Sequence, residues 1–238
     1  IATGRCLPQS IAYSIPGYSP MSWRTQGFAD RDAIARIPSW LNPLAQALPG
    51  VQSSDVTRFV PIDGSGRHAA VLVLFGDGPD VLLIERARGA DAHSGQPAFP
   101  GGVAEPVDVD AASTALREAN EETGLRTAGV TVFGALPDLW VPVSDFVVSP
   151  ILAWWHVPSP VSVQDSAEVS QVQRVAISSL VDPAHRYTAV HPSGYRGPGF
   201  MVNDLLVWGF TAGVLDGIIE YAGWGREWDV RREVAIEL

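Results

Sequence analysis

The feature that most constrains the fold is a pair of apolar runs placed directly before an acidic, helix-forming segment. Residues 68–75 and 80–86 are rich in Val, Leu and Ile, and the Gly-Asp-Gly-Pro between them is typical of a turn. This pattern predicts a β-hairpin. Residues 110–123 then predict a helix that stops at Gly124, because glycine commonly terminates helices. The chain must therefore combine strands and helices.

Further elements continue this mixture on both sides of the hairpin and the helix. Three more strands and a second helix are predicted at 130–136, 146–157, 169–177 and 205–221. An amphipathic stretch at 30–48 predicts one or two short helices, interrupted at Pro38, that pack as a lid on the core. Short strands interleaved with helices and joined by hairpins favour an α/β protein with a mixed sheet.

Length and charge limit the domain organisation and the classes of function. The 238 residues fit one domain with decorated ends; we expect an N-terminal extension and helical segment at 1–50 and the main domain at 51–238. A net charge of −10 with only 16 Lys and Arg argues against a protein that binds DNA or RNA through the phosphate backbone. A small anionic ligand stays compatible, because a bound divalent cation inverts the field of an acidic site.

Other residue types exclude further kinds of site. The single cysteine, Cys6, excludes an intrachain disulfide and fits a cytoplasmic protein. The first twenty residues do not resemble a signal peptide, and no apolar run approaches the roughly 20 residues that a membrane helix needs, so we expect a soluble protein without membrane contact. The five histidines lack the spacing of zinc ligands, and the GxSxG sequence of a serine nucleophile is absent.

Three glutamates in the predicted helix carry the strongest chemical signal. Glu118, Glu121 and Glu122 stand at i, i+3 and i+4, so their carboxylates share one helix face and repel one another. A hard cation such as Mg²⁺ would remove this repulsion and bridge to a diphosphate. For an isolated ExxEE sequence, a solvated acidic face is the alternative.

The residues around these glutamates carry a longer pattern. Arg117 precedes the first glutamate, Gly124 follows the last, and a Gly-Gly pair at 101–102 opens the loop before the helix. This arrangement resembles the Nudix box, in which a glycine and an acidic residue precede Arg-Glu, an apolar residue, Glu-Glu and a glycine. The loop is one residue longer than in the common box. Asp108 therefore takes the place of the first acidic residue, with Glu105 as the alternative.

The resemblance implies a fold, a cofactor and a set of site residues. The implied fold is a Nudix-type α/β/α sandwich with a mixed sheet, and the implied cofactor is Mg²⁺ or Mn²⁺. The implied metal ligands are the carboxylates of Glu118, Glu121 and Glu122 and the carbonyl of Gly102. The implied catalytic set is Glu118, Glu121 and Arg117, in which one of the two glutamates is the base and the arginine braces the loop by pairing with a carboxylate.

Residues just before the box resemble the signature of the coenzyme A diphosphatase branch of the Nudix hydrolases. The matching positions are Leu82, Leu83, Arg86, Gly95, Gln96, Phe99, Pro100, Gly101 and Gly102. The resemblance implies substrate binding by Arg86, Gly95, Gln96 and Phe99. His93 is a further candidate for contact with a substrate phosphate, with an ordinary loop histidine as the alternative. One arginine of the signature is replaced by Asp91, which would repel a phosphate.

The similarity to this branch covers about residues 69–221, including the segments 143–154 and 205–219. Within it, Glu168 has two interpretations: an extra metal ligand or base supplied from a loop, or a solvated loop glutamate. The residues alone do not decide between them.

The resemblance implies hydrolysis of a diphosphate linkage in a small nucleotide derivative. Coenzyme A or a derivative is the leading substrate, with 4′-phosphopantetheine and adenosine 3′,5′-bisphosphate as products. Asp91 keeps open a Nudix hydrolase of ADP-ribose, dinucleotides or nucleoside triphosphates. A non-catalytic Nudix module that binds a nucleotide is a third candidate, although the complete glutamate set counts against it. A homodimer is compatible with all three.

Overall fold

The computed structural model describes residues 27–57, 66–87, 95–142 and 144–236. The α-helices in these ranges are α1 (Arg31–Ile34), α2 (Asn42–Ala47), α3 (Ser53–Val56), α4 (Ala111–Thr123), α5 (Ile177–Leu180) and α6 (Gly209–Tyr221). Short 3₁₀ helices occupy Ser39–Leu41, Leu48–Gly50, Thr127–Gly129 and Pro183–His185. The strands are β1 (Phe28–Ala29), β2 (Arg67–Gly76), β3 (Asp80–Arg86), β4 (Pro97–Ala98), β5 (Gly101–Val103), β6 (Val130–Ala135), β7 (Leu139–Val141), β8 (Phe146–Trp155), β9 (Val169–Ala176), β10 (Arg186–Val190), β11 (Arg196–Val202), β12 (Leu205–Val207) and β13 (Glu233–Ala235).

Nine strands form one mixed sheet. Six of them lie in the order β1-β6-β8-β2-β3-β4, while β5 pairs with β2, β7 with β8, and β9 with β3. The pairing of β2 with β8 is parallel, and the other pairs are antiparallel. The predicted hairpin of β2 and β3 and the predicted mixed sheet are both confirmed.

Alternation along β2 explains why helices cover both faces of this sheet. Ala70, Leu72 and Leu74 belong to a buried cluster that includes the apolar residues of α4. Val73 and Phe75 point the other way, into a second cluster that includes residues of α2 and α6. Because successive side chains of a strand lie on opposite faces, the sheet separates two cores. The expected α/β/α arrangement is confirmed.

The N-terminal helical segment contributes directly to the second cluster. Leu41, Leu44 and Leu48 are fully buried there, in contact with the same core as β2 and α6. The predicted interruption at Pro38 is confirmed, because α1 ends at Ile34 and the next helical turn begins at Ser39. The division of the chain at residue 50 stays a prediction.

Helix α4 has the ends that its sequence predicts. Asp110 lies before the first turn, and its side chain accepts a hydrogen bond from the Ser113 N–H at 2.8 Å. Gly124 follows the last turn in the left-handed conformation, with φ of 71°. A residue with a side chain is strained in this conformation, so the glycine fixes the end of the helix.

A second, four-stranded sheet was not predicted. Its order is β12-β11-β10-β13, with β10 and β13 parallel. The predicted helix at 205–221 is therefore wrong over its first residues: Leu205–Val207 is a strand, and α6 begins at Gly209. The turn between β11 and β12 places Asn203 and Asp204 at positive φ, which suits a two-residue hairpin turn and makes this strand pairing favourable.

Among the helices of the described residues, none has the length and apolar character needed to cross a membrane.

Candidate active site

The three glutamates of α4 differ strongly in exposure. The side chain of Glu121 is 57% exposed, that of Glu118 is largely buried, and Glu122 is only 3% exposed. All three belong to the face predicted from their spacing, but successive residues lie about 100° apart around a helix, and Glu122 is on the side that contacts Gly101 of β5. A uniformly solvated acidic face is therefore excluded.

Glu122 is held against the strand that precedes the box. Its Oε2 accepts a hydrogen bond from the Gly101 N–H at 2.9 Å. The pKa of Glu122 is raised to about 7, mainly by burial and further by the charges of Glu118 and Glu168, although the Gly101 hydrogen bond and Arg86 act in the opposite direction. Burial likewise raises the pKa of Glu118. A cation beside these carboxylates would favour their charged forms.

The Gly-Gly pair is required by close packing in two directions. A Cβ on Gly101 would lie 2.3 Å from the Ala70 carbonyl oxygen, on the neighbouring strand β2. A Cβ on Gly102 would lie 2.5 Å from the Glu118 carboxylate. Both distances are far inside van der Waals contact. The glycines therefore let β5 approach β2 on one side and the carboxylates on the other.

Arg117 joins the loop to the helix. Its Nε and Nη2 donate to the two carboxylate oxygens of Asp108 at 3.1 and 3.0 Å, and Nη2 also donates to the Val103 carbonyl at 3.0 Å. Its Nη1 lies 3.0 Å from carboxylate oxygens of Glu118 and Glu121. Such a two-point pairing fixes the plane of both groups. The guanidinium thus holds the loop and the glutamates in one network.

Asp108, and not Glu105, occupies the acidic position of the loop. The Asp108 side chain is 3% exposed and accepts further hydrogen bonds from the Thr114 hydroxyl at 3.0 Å and the Glu105 N–H at 2.9 Å. Burial alone would raise the pKa of Asp108, but the hydrogen bonds and charge of Arg117 outweigh it and lower that pKa. The hydrogen bond from Thr114 to Asp108 has no recognisable signal in the sequence, because a buried threonine in a helix is usually only a packing residue.

The residues assigned to substrate binding lie along one loop and its flanking strands. Arg86 ends β3, exchanges backbone hydrogen bonds with Gly95 and Gln96, and acts electrostatically on Glu122. Phe99, by contrast, is 2% exposed. It packs in the second cluster, the core on the α6 side of the sheet (the α6-side core), so any contact with substrate would involve its backbone. His93 and Asp91 lie outside the described residues. The binding roles stay predictions.

Glu168 acts electrostatically on two of the carboxylates from a different segment of the chain. Its carbonyl accepts the Ala87 N–H at 2.8 Å, which places it beside the end of β3. Its side chain is exposed, and its charge raises the pKa of both Glu118 and Glu122. Proximity to the two buried carboxylates favours the first interpretation given for this residue, a functional acid.

The donor chemistry of this cluster suits a divalent cation. In the ranges described, no three His, Cys, Asp or Glu side chains are positioned so that they would together hold a metal ion. Two of the glutamates contact Arg117, and the third accepts the Gly101 N–H. The carboxylate oxygens of these glutamates are nevertheless the hard donors that Mg²⁺ and similar ions prefer, and burial raises the pKa of both Glu118 and Glu122.

A cavity of about 580 Å³ lies elsewhere, at the C-terminal end of α6. Its most buried polar group, the guanidinium of Arg186, pairs with Asp216 and lies over the rings of Phe200 and Trp228. Arg186 therefore serves packing of the second sheet. The cavity shares no residue with the glutamate cluster.

Comparison with known proteins identifies the family of the chain. The NUDIX domain model matches residues 65–195, more than half of the chain. The chain is 34% identical over 160 residues to the uncharacterized Nudix hydrolase NudL of Photorhabdus laumondii, covering 65% of this chain and 84% of that protein. It is 33% identical to the NudL of Escherichia coli K12, covering 63% and 79%.

Among solved structures, a Nudix hydrolase from M. smegmatis, RenU, aligns with a TM-score of 0.44 and 19% identity, covering 69% of this chain and 91% of that one. Nudix hydrolases generally use divalent metal ions and act on small nucleotide substrates. By its match to the family model and to these relatives, the chain belongs to the Nudix family and is a hydrolase that acts on phosphoanhydride bonds.

Proposed function

We propose that this protein hydrolyses the diphosphate linkage of coenzyme A or a coenzyme A derivative with Mg²⁺ or Mn²⁺ as cofactor. The products would be 4′-phosphopantetheine and adenosine 3′,5′-bisphosphate. The observation that carries the reaction is the burial of Glu122 beside Glu118, with its carboxylate fixed by the Gly101 N–H. A buried carboxylate pair has no structural benefit unless a cation or proton compensates it.

The chain's own residues divide into ligands, a brace and a base. Glu118, Glu121, Glu122 and the Gly102 carbonyl would hold the cation, which neutralises the diphosphate and lowers the pKa of water. Arg117 keeps the glutamates in position through its two-point pairing with Asp108. Such preorganisation matters because misplaced ligands lose much of their effect on the transition state.

The proton of the attacking water needs a carboxylate acceptor. Glu118 and Glu121 remain the candidates within the helix. Glu168 is a third, because it faces the cluster from the loop before β9 and has no hydrogen bond to Arg117 among the described contacts. General bases of this kind contribute about 10²- to 10⁴-fold in rate. Loss of rate in the Glu168→Gln variant, with metal affinity retained, would favour this residue.

The choice of coenzyme A rests on the segment before the box. Arg86 and the Gly95–Gly102 region match the signature of the coenzyme A branch, and Arg86 acts electrostatically on Glu122. ADP-ribose, dinucleotides and nucleoside triphosphates are the alternative substrates, since Asp91 departs from that signature.

The test is a substrate panel with matched variants. Wild type, Glu122→Gln and Glu105→Gln are incubated with Mg²⁺ and coenzyme A, ADP-ribose, NADH or nucleoside triphosphates, and the products are identified. Glu105→Gln is the control, because it removes an exposed carboxylate from the same loop. We expect coenzyme A to be cleaved by wild type and the control only. Cleavage of another substrate in place of coenzyme A would assign the enzyme to that substrate. A Glu122→Gln variant that remains active would contradict the assignment of Glu122 to the active site.

A further inference from the structure

We propose that the outer face of the second sheet binds the nucleobase of the substrate, with Trp208 as the stacking residue. This inference rests on the proposed function, because it assigns the base-binding end of the same site. We call the half-buried residues Met201, Leu206 and Trp208 the platform.

The platform adjoins the segment that leads into the glutamate cluster. Strand β12 packs against β4, which lies three residues before Gly101 in the chain. A side-chain hydrogen bond of 3.1 Å from Asn203 to Gln173 ties the β11–β12 turn to β9. Strand β9 in turn pairs with β3, whose last residue is Arg86. The second sheet is thus fixed beside the proposed binding segment.

Alternation along β11 and β12 decides which side chains face away from the core. Phe200 and Val207 are paired partners and are buried in the α6-side core. Met201 and Leu206 are the next pair, so they lie on the opposite face, where both are only partly buried. Trp208 follows on the same face. Met201, Leu206 and Trp208 therefore lie on one apolar, partly exposed face.

The chemistry of the platform selects a flat, uncharged group. The ring of His191 already stacks on Trp208, with 5.4 Å between centroids and 18° between planes, and Tyr195 lies 6.4 Å away. A nucleobase would extend this stack of rings. Met201 and Leu206 add apolar area and no charge, so they suit a base and not a phosphate. The diphosphate itself is assigned to the glutamate cluster.

The experiment compares AMP with ribose 5-phosphate, which lacks the base. Binding of each to the full chain is measured by calorimetry with Mg²⁺ present. We expect wild type to prefer AMP. Trp208→Ala should weaken AMP binding about tenfold, since base stacking on aromatic residues has effects of this order, and should leave ribose 5-phosphate unchanged. Trp208→Phe should restore most of the AMP affinity, because it retains a flat ring.

Two further variants control for folding and position. Leu206→Ala should weaken AMP binding about threefold, and it carries the test if Trp208→Ala does not fold. Val157→Ala, which changes an exposed valine outside the platform, should bind both probes like wild type. Circular dichroism and thermal melting establish that each variant is folded.

The outcomes separate this inference from the proposed function. Equal affinity of wild type for the two probes, or unchanged AMP affinity in folded Trp208→Ala and Leu206→Ala, would overturn the platform. Turnover of coenzyme A together with either result would leave the proposed function intact. Selective AMP binding through Trp208 without turnover of any substrate would support the platform and contradict the function.

Discussion

The two faces of the nine-stranded sheet are specified by the chain in different ways. On the α4 face, one contiguous segment, 101–125, supplies the glycines, the carboxylates, the arginine and both ends of the helix. On the α6 face, the core collects residues from α1, α2, β2, β11 and α6, which are far apart in sequence. A contiguous segment shows as a motif, whereas a dispersed core does not.

The faces also differ in what they contribute. Much of the buried polar chemistry, including Asp110, Thr114 and Glu122, is on or beside α4. The α6 face buries mostly large apolar side chains, among them Leu44, Phe75 and Phe200. We therefore expect substitutions on the first face to change activity more than stability, and substitutions on the second to do the reverse.

The largest expected effect is on the α4 face. Glu122→Gln should lower turnover about 1,000-fold, or roughly 4 kcal/mol in activation free energy, because a cation ligand is lost. Its thermal stability without metal should not fall, since a buried carboxylate becomes neutral while an acceptor for the Gly101 N–H remains. Steady-state kinetics and calorimetric melting measure the two quantities. Added Mg²⁺ should raise the melting temperature of wild type only.

The second prediction concerns the α6 face. Leu44→Ala should reduce the free energy of unfolding by about 3 kcal/mol, because the side chain is fully buried and leaves a cavity. Well below its melting temperature, the folded variant should retain wild-type kcat. Urea unfolding measures the loss of stability, and steady-state kinetics measure kcat. A stable variant with lost activity would show that the two faces are coupled.

The third prediction concerns the contribution of Asp108, beside the glutamates, to the stability of the fold. Asp108→Asn should cost about 2 kcal/mol of stability, because the Arg117 guanidinium loses its charged partner. The pKa of Asp108 is lowered in the folded protein, so its carboxylate stabilises the fold above the unfolded-state pKa, near 4. That contribution is lost as pH falls through the lowered pKa. The free energy of unfolding is measured for wild type and variant at pH 7 and at pH 3. The difference between the two proteins should be smaller at pH 3.

The smallest effect is expected at the helix end. Gly124→Ala should destabilise the protein by about 1 kcal/mol, because alanine is strained at φ of 71°. Gly50→Ala is the matched control: a Cβ there would contact nothing within 4 Å, and stability should be unchanged. Equal melting temperatures of the two variants would show that the backbone relaxes at Gly124.

The sequence predicts the α4 face well because each signal there is local. The caps at Asp110 and Gly124 and the spacing of the glutamates depend only on neighbours along the helix. The pairing of Arg117 with a loop carboxylate follows from the family resemblance, but the choice of Asp108 over Glu105 needed the structure. Roles in metal and substrate binding stay predictions.

The remainder depends on contacts that local patterns do not encode. Leu205, Leu206 and Val207 are an apolar run that fits a strand or a helix, and their pairing with β11 decides for a strand. The three glutamates look equivalent in the sequence, yet the packing of α4 against β5 buries Glu122 and leaves Glu121 exposed. The proximity of Glu168 to the cluster likewise arises from the pairing of β9 with β3.

The parallel pairing of β2 with β8 has a consequence for how the protein is made. The paired residues are about 80 positions apart, and nine consecutive residues of β2 have partners in β8. At translation rates of about 5–20 residues per second, β8 leaves the ribosome roughly 4–16 s after β2. During that interval β2 has only β3 and β5 as sheet neighbours among the described strands, and its other edge is open. A slow or paused ribosome within residues 76–146 would therefore prolong exposure of an aggregation-prone strand edge.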